Sequence, residues 1–243
     1  MPVKNVTYLG SKAASGAYQA IIAHMPPHET YIESHLGSGA VMFYKPRAVR
    51  NIGIDIDDNA FLLTRARWPQ GETPQIHLKQ CDAVGFLERF DYETAGRVFV
   101  YADPPYLHQT RTSRSRYRNE YTVEDHRQLI ATLRAIPACV MISGYPSALY
   151  DELLGDWRTY EFTVMTRGGV RTEKIWMNYP EGAAYSAAFA GKDYIDRQRI
   201  KRKAERWAKK YRALPASERL AILSELMTVH QDDNLLNLET QND

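Results

Sequence analysis

The chain has 243 residues, 44% of them hydrophobic and 25% charged, with a net charge of +2. That length holds one sizeable α/β domain plus an appendage, and the composition is that of an ordinary soluble protein. No run of about 18 apolar residues is present, so no transmembrane helix is expected, and Met1-Pro2-Val3-Lys4-Asn5 lacks the apolar stretch of a signal peptide.

Thr7 to Lys12 precedes a helical pattern from about Gly16 to His24, which Pro26-Pro27 ends. Thr30 to Ser34 reads as a strand, and His35-Leu36-Gly37-Ser38-Gly39-Ala40-Val41 reads as a glycine-bearing turn opening a helix. Strand, glycine turn and helix form the arrangement in which backbone closely approaches a nucleotide-like ligand at a helix N-terminus. Asn51 to Asp55 is the next strand, with Asp57 and Asp58 just beyond, each able to cap a helix or grip a ligand. An acid at the end of a second strand is where a ribose hydroxyl pair is held. A helix from Asn59 to Arg67 and a strand from Gln75 to Gln80 follow, the strand closing in Cys81-Asp82.

Val98 to Ala102 is an apolar, β-branched and aromatic run that ends abruptly in Asp103-Pro104-Pro105-Tyr106. Neither proline can extend a strand ladder and each holds its predecessor extended, so Asp103 and Tyr106 stand on a stiff turn at a strand's carboxyl end. Four successive strands thus finish in Glu33, Asp55, Asp82 and Asp103, and acids gathered on one rim of a sheet point to a site. Residues 111 to 118 then hold four arginines and no acid. Thr122 and Asp125 fit a loosened capping box for a helix from Val123 to Ile136. Ala138 to Ser143 is a fifth buried strand, with a short helix near Ser147 to Leu154. Arg158 to Thr166 and Lys174 to Tyr179 form a hairpin with Arg167 to Arg171 as its loop.

These patterns divide the chain into a domain over residues 1–180, a linker over 181–190, a basic helical extension over 191–230 and a disordered tail from 231 to 243. The extension comprises a basic helix from Asp193 to Arg212 and a second helix capped by Ser217, with Leu220, Ile222, Leu223 and Leu226 as apolar anchors. Residues 192 to 212 carry ten Lys or Arg against three acids, so a polyanion, nucleic acid foremost, is the expected partner. Cys81 and Cys139, the only cysteines, lie in or beside predicted strands without metal-ligand companions. They point to a reducing, cytoplasmic compartment and to no metal centre.

Taken together, Tyr8-Leu9-Gly10-Ser11-Lys12, Glu33 through Val41 and Asp103-Pro104-Pro105-Tyr106, in that order, resemble the Dam-type DNA adenine-N6 methyltransferases. Glu173 to Tyr179 is similar to the family's late strand. The resemblance spans about residues 5 to 180 and suggests a compact variant of bacterial or phage type. It implies an α/β, Rossmann-like methyltransferase fold with a seven-stranded mixed sheet, S-adenosylmethionine as methyl donor, and double-stranded DNA as partner. Carried over by position, Tyr8, Lys12, Glu33, Leu36, Gly37, Ser38, Gly39, Asp55, Asp82 and Asp103 would hold the donor, Gly37 and Gly39 by allowing its close approach.

In that reading Asp103 and the Pro104 carbonyl accept the two hydrogens of adenine's exocyclic amine, Pro105 stiffens the turn, and Tyr106 stacks on the flipped base. The chain departs from the family at Ser34-His35, where members commonly carry Pro-Phe. It also has only 63 residues from Gly39 to Ala102, which leaves no room for a large target-reading subdomain. Recognition is therefore expected from residues 107–121, through Arg111, Arg114, Arg116 and Arg118. Lys201, Arg202, Lys203, Arg206, Lys209 and Lys210 would contact phosphates irrespective of sequence, favouring a short or relaxed target. An RNA adenine-N6 methyltransferase, a cytosine-N4 DNA methyltransferase and a non-catalytic nucleic-acid-binding module are the alternatives.

Overall fold

The computed structural model describes residues 12–13, 17–67, 76–107, 118–166, 169–182, 185, 191 and 194–226. The chain divides into two compact units, Met1–Ala190 and Gly191–Asp243.

Seven strands of the first unit form one sheet: β1 (Thr30–Glu33), β2 (Arg50–Asp55), β3 (Ile76–Gln80), β4 (Val98–Ala102), β5 (Cys139–Gly144), β6 (Arg158–Thr166) and β7 (Gly169–Met177). Their order is β3-β2-β1-β4-β5-β7-β6. β1 to β5 run parallel, and β7 lies antiparallel between β5 and β6. This is the Rossmann-like fold of the S-adenosylmethionine-dependent methyltransferases, with its inserted antiparallel strand. The central strands are covered on both faces, which is why β1 and β4 are buried at every position and β4 reads as a continuous apolar run rather than an alternating one.

Alternate side chains of those strands feed two cores. Tyr31, Phe99, Tyr101, Met141, Ile175 and Met177 pack on one face with Ile21 and Ile22 of α1 (Ala17–Ala23) and Val41 of α2 (Ala40–Tyr44). Ile32, Val100, Ile142 and Trp176 pack on the other with Leu87 of α4 (Ala83–Arg89), Leu129 and Leu133 of α5 (Val123–Ala135) and Tyr150 of α6 (Ala148–Leu153). Helix α3 (Asp58–Arg67) joins β2 to β3. The capping box of α5 is complete: the Asp125 N–H donates to Thr122 Oγ1 (3.2 Å) and the Thr122 N–H to Asp125 Oδ2 (2.7 Å).

The β6–β7 hairpin is longer than its apolar pattern suggests, because β7 begins at Gly169 and pairs with β6 over residues 169–173, in which Val170 is the one large apolar side chain. Within the expected linker, Tyr185 is held against the first unit. Its N–H donates to the Met25 carbonyl (3.1 Å), its hydroxyl to the Pro46 carbonyl (2.9 Å), and its ring stacks on His28 at 4.0 Å.

In the second unit, α7 (Tyr194–Ala213) has no buried residue, and residues 216–226 are helical. The Arg219 N–H bonds to the Pro215 carbonyl at 3.0 Å, which puts Ser217 inside the first turn instead of at its cap. Leu220, Ile222, Leu223 and Leu226, expected as anchors, are exposed. Among the described residues no helix is long and apolar enough to cross a membrane.

Candidate active site

The strand order reverses between β1 and β4, and a cavity of about 240 Å³ lies at the carboxyl ends of the strands there. Glu33, Asp55, Asp82 and Asp103 all line it. So do Lys12, Leu36, Gly37, Ser38, Pro105 and Arg118 among the residues singled out by sequence. Tyr8, Arg111, Arg114 and Arg116 lie outside the described residues. Lys201, Arg202, Lys203, Arg206, Lys209 and Lys210 are exposed on α7 in the second unit.

Asp55 organises the turn across the cavity floor. Its Oδ2 accepts the Gly37 N–H at 2.7 Å and its Oδ1 the Asp57 N–H at 2.9 Å. Burial raises its pKa against the opposing pull of these bonds. A carboxylate has about four lone-pair sites, so Asp55 keeps acceptor capacity for a hydroxyl pair. Asp82 is the N-cap of α4, its Oδ2 accepting the Gly85 N–H at 2.7 Å, and Oδ1 has no hydrogen bond among the described residues. Glu33 is buried at the end of β1 and accepts the Tyr31 hydroxyl at 2.9 Å. Burial pushes its carboxyl up to about 8, so it holds its proton at neutral pH.

Gly39 has φ +62°, and an added Cβ would stand 2.8 Å from Thr64 Oγ1, so a glycine there makes room for α3. The donor set of acids around an open cavity otherwise fits the polar groups of S-adenosylmethionine.

Lys12 lines the cavity and also reaches the turn after β4. Its ammonium lies on the Asp103–Tyr106 turn, 2.9 Å from Asp103 Oδ1 and 3.5 Å from Glu173 Oε2, bonds the Tyr106 hydroxyl, and stands 4.7 Å from the Tyr106 ring centre. Burial alone would lower its pKa, but Asp103 and Glu173 hold it well above the usual lysine value. Asp103 Oδ1 also accepts the Ser143 hydroxyl at 2.8 Å, and Ser143 in turn shares a hydrogen bond with the Tyr101 hydroxyl at 2.9 Å. Both bonds fall on one oxygen, and Oδ2 is without a partner among the described residues. The Tyr106 ring, expected to be open for stacking, is buried and meets Tyr145 edge to face at 4.6 Å.

Arg118, assigned to nucleic acid, instead pairs with Asp57 Oδ1 at 2.9 Å and Asp58 Oδ1 at 3.3 Å beside the cavity mouth. Asp57 meanwhile caps α3 through the Asn59 N–H at 3.0 Å.

No protein-family model and no curated protein matches the chain. Solved structures do. Precorrin 8w decarboxylase of Methanobacterium thermoautotrophicum is 12% identical over 73% of this chain and 96% of its own, with a TM-score of 0.48. An rRNA methylase from Streptococcus thermophilus is 12% identical over 68% and 95%, with a TM-score of 0.42. A protein from Streptococcus mutans solved with SAH is 10% identical over 65% and 94%, with a TM-score of 0.45. Likeness at this level concerns the fold alone, and the fold rests here on strand order and direction.

Sequence reasoning missed Ser143, Tyr101, Glu173, His35 and Tyr121. A small polar residue at the carboxyl end of an apolar strand was the available signal for Ser143. His35, seen only as a departure from Pro-Phe, bonds the Tyr121 hydroxyl through Nε2 at 3.0 Å and Ser34 Oγ through Nδ1 at 3.0 Å.

Proposed function

We propose that the chain transfers a methyl group from S-adenosylmethionine to the exocyclic N6 amine of a flipped adenine in double-stranded DNA. The observation that carries this is the Asp103 carboxylate on its proline-stiffened turn, one oxygen fixed by Ser143 and Lys12, beside the cavity rimmed by Glu33, Asp55 and Asp82. The bound donor would supply an electrophilic methyl group on a sulfonium. Asp55 and Asp82 retain the acceptor capacity to hold hydroxyl and amine groups of that donor.

Adenine's amine is a weak nucleophile because its lone pair is delocalised into the ring. Asp103 Oδ2 and the Pro104 carbonyl, by accepting its two hydrogens, favour a tetrahedral nitrogen whose lone pair attacks the methyl carbon; the S–CH3 bond would break to leave a neutral thioether, and the methylated ammonium would give one proton through Asp103 to solvent. Alignment supplies most of the effect, and no strongly basic group is required. The basic face of α7 supplies phosphate contacts that carry no sequence information.

The test is incubation with labelled donor and either duplex DNA or structured RNA, followed by nucleoside analysis. Label is expected in N6-methyladenine from DNA, and Asp103→Ala is expected to abolish it. Label confined to RNA, or found in N4-methylcytosine, would replace the substrate assignment. Absence of label with every substrate would leave a binding module.

A further inference from the structure

Tyr121, the last residue of the segment expected to read nucleic acid, is instead tethered in the cavity wall. It follows Arg118, whose guanidinium is held by Asp57 at 2.9 Å, and precedes Thr122, whose capping box starts α5, so its backbone is anchored on both sides. Its hydroxyl bonds His35 Nε2 at 3.0 Å, and the two rings stand at 75° with centres 5.5 Å apart. The His126 ring lies at 69° and 5.5 Å. His35 is itself oriented by Ser34, and both His35 and Tyr121 line the cavity with Asp55, Ile56 and Asp82.

Building on the reading of the cavity as a methyl-donor site, we propose that Tyr121 is a donor-binding residue. Its ring forms a wall of the slot for the donor's purine, and His35 is the positioning residue that fixes it. A purine needs flat or branched apolar surfaces against its faces and polar groups at its edge. Ile56, just beyond β2, lines the same cavity although 53% of its surface is exposed, an apolar side chain that a bound ring would cover. Asp82 and Asp55 supply the polar edge. Burial first, and then the charges of Asp82, Asp125 and Asp55, push the Tyr121 phenol above its usual range, and those acids line the same cavity. Burial pushes the His35 imidazole down to about 3, so it is neutral through the physiological range and the tether does not depend on pH there.

The test is calorimetric titration of the full chain with S-adenosylhomocysteine and, separately, with adenosine. Tyr121→Ala is expected to weaken both at least about tenfold, the loss of one aromatic stacking partner. Tyr121→Phe keeps the ring and should lose only about threefold, an intermediate loss that guards against a variant that merely misfolds. His35→Ala should match Tyr121→Phe, add nothing in the Tyr121→Phe background, and be restored by His35→Gln, whose amide can reach the phenol. Binding by Tyr121→Ala within twofold of the unsubstituted chain would overturn the assignment of Tyr121 and leave the donor reading standing. Additive losses for His35→Ala and Tyr121→Phe would overturn the positioning role. Absence of S-adenosylhomocysteine binding by the unsubstituted chain would overturn the donor reading itself.

Discussion

Replacing Lys12 with Met removes the ammonium that lies between the buried Glu173 and the partly buried Asp103 carboxylates while keeping most of the side chain's apolar stem. Lys12, Asp103 and Glu173 are only 5%, 16% and 8% exposed, with separations of 2.9 and 3.5 Å. At an effective dielectric constant of about 20 those distances correspond to gross attractions of about 6 and about 5 kcal/mol, much of it offset by the cost of desolvating the ammonium. Breaking such a buried arrangement from one side costs about 3–5 kcal/mol, which for a chain of this size lowers Tm by roughly 6–20 °C.

The pH dependence follows from Glu173. Burial raises its carboxyl pKa while Lys12 pulls it down, so losing Lys12 raises it further. A carboxyl group whose folded pKa lies above its unfolded value binds more protons when folded, and its folded state loses stability as pH rises from the unfolded to the folded pKa. The Lys12→Met deficit should therefore be small near pH 4, grow as pH rises, and level off above the new folded pKa. Thermal melts of the variant and the unsubstituted chain from pH 4 to 8.5 measure it, and adding Glu173→Gln should remove most of the slope. A Tm within about 2 °C of the unsubstituted chain at pH 7.5 would refute the reasoning, since a 3 kcal/mol loss cannot hide in so small a shift.

Three further outcomes are expected. Ser143→Ala removes a hydrogen bond to an ionised carboxylate worth roughly 1.5–3 kcal/mol, so kcat should fall at least about tenfold with KM for the donor unchanged. An equal change in donor KM would show that Ser143 does not act through Asp103. Gly39→Ala forces a left-handed backbone and a clash with Thr64, and urea unfolding should show a loss of about 2–4 kcal/mol, partly recovered by Thr64→Ala. Neutralising Lys201, Arg202, Lys203, Arg206, Lys209 and Lys210 together should flatten the salt dependence of DNA binding by about 0.9 in log–log slope for each phosphate that is no longer neutralised. An unchanged slope would remove α7 from the DNA interface.

Much of the fold is local and so could be read along the chain. The proline pair after β4 stops the strand at Asp103, Thr122 and Asp125 set the start of α5, and unbroken apolar runs mark strands covered on both faces. Acids ending successive strands joined by helices must share one rim, because parallel strands all point the same way. The polar first half of β7 escaped notice, since its pairing with β6 compensates for a sequence without a strand's apolar pattern.

The sequence by itself therefore determined where the Asp103–Tyr106 turn stands and which acids surround it. The tertiary structure alone decided what those groups touch. Lys12 reaches Tyr106 across 94 residues, His35 meets Tyr121 across 86, and Ser143 meets Asp103 across 40. Pairings of that kind depend on strand order and on which helix covers which face. Turn chemistry and side-chain periodicity act over a few residues, and they carry no information about either.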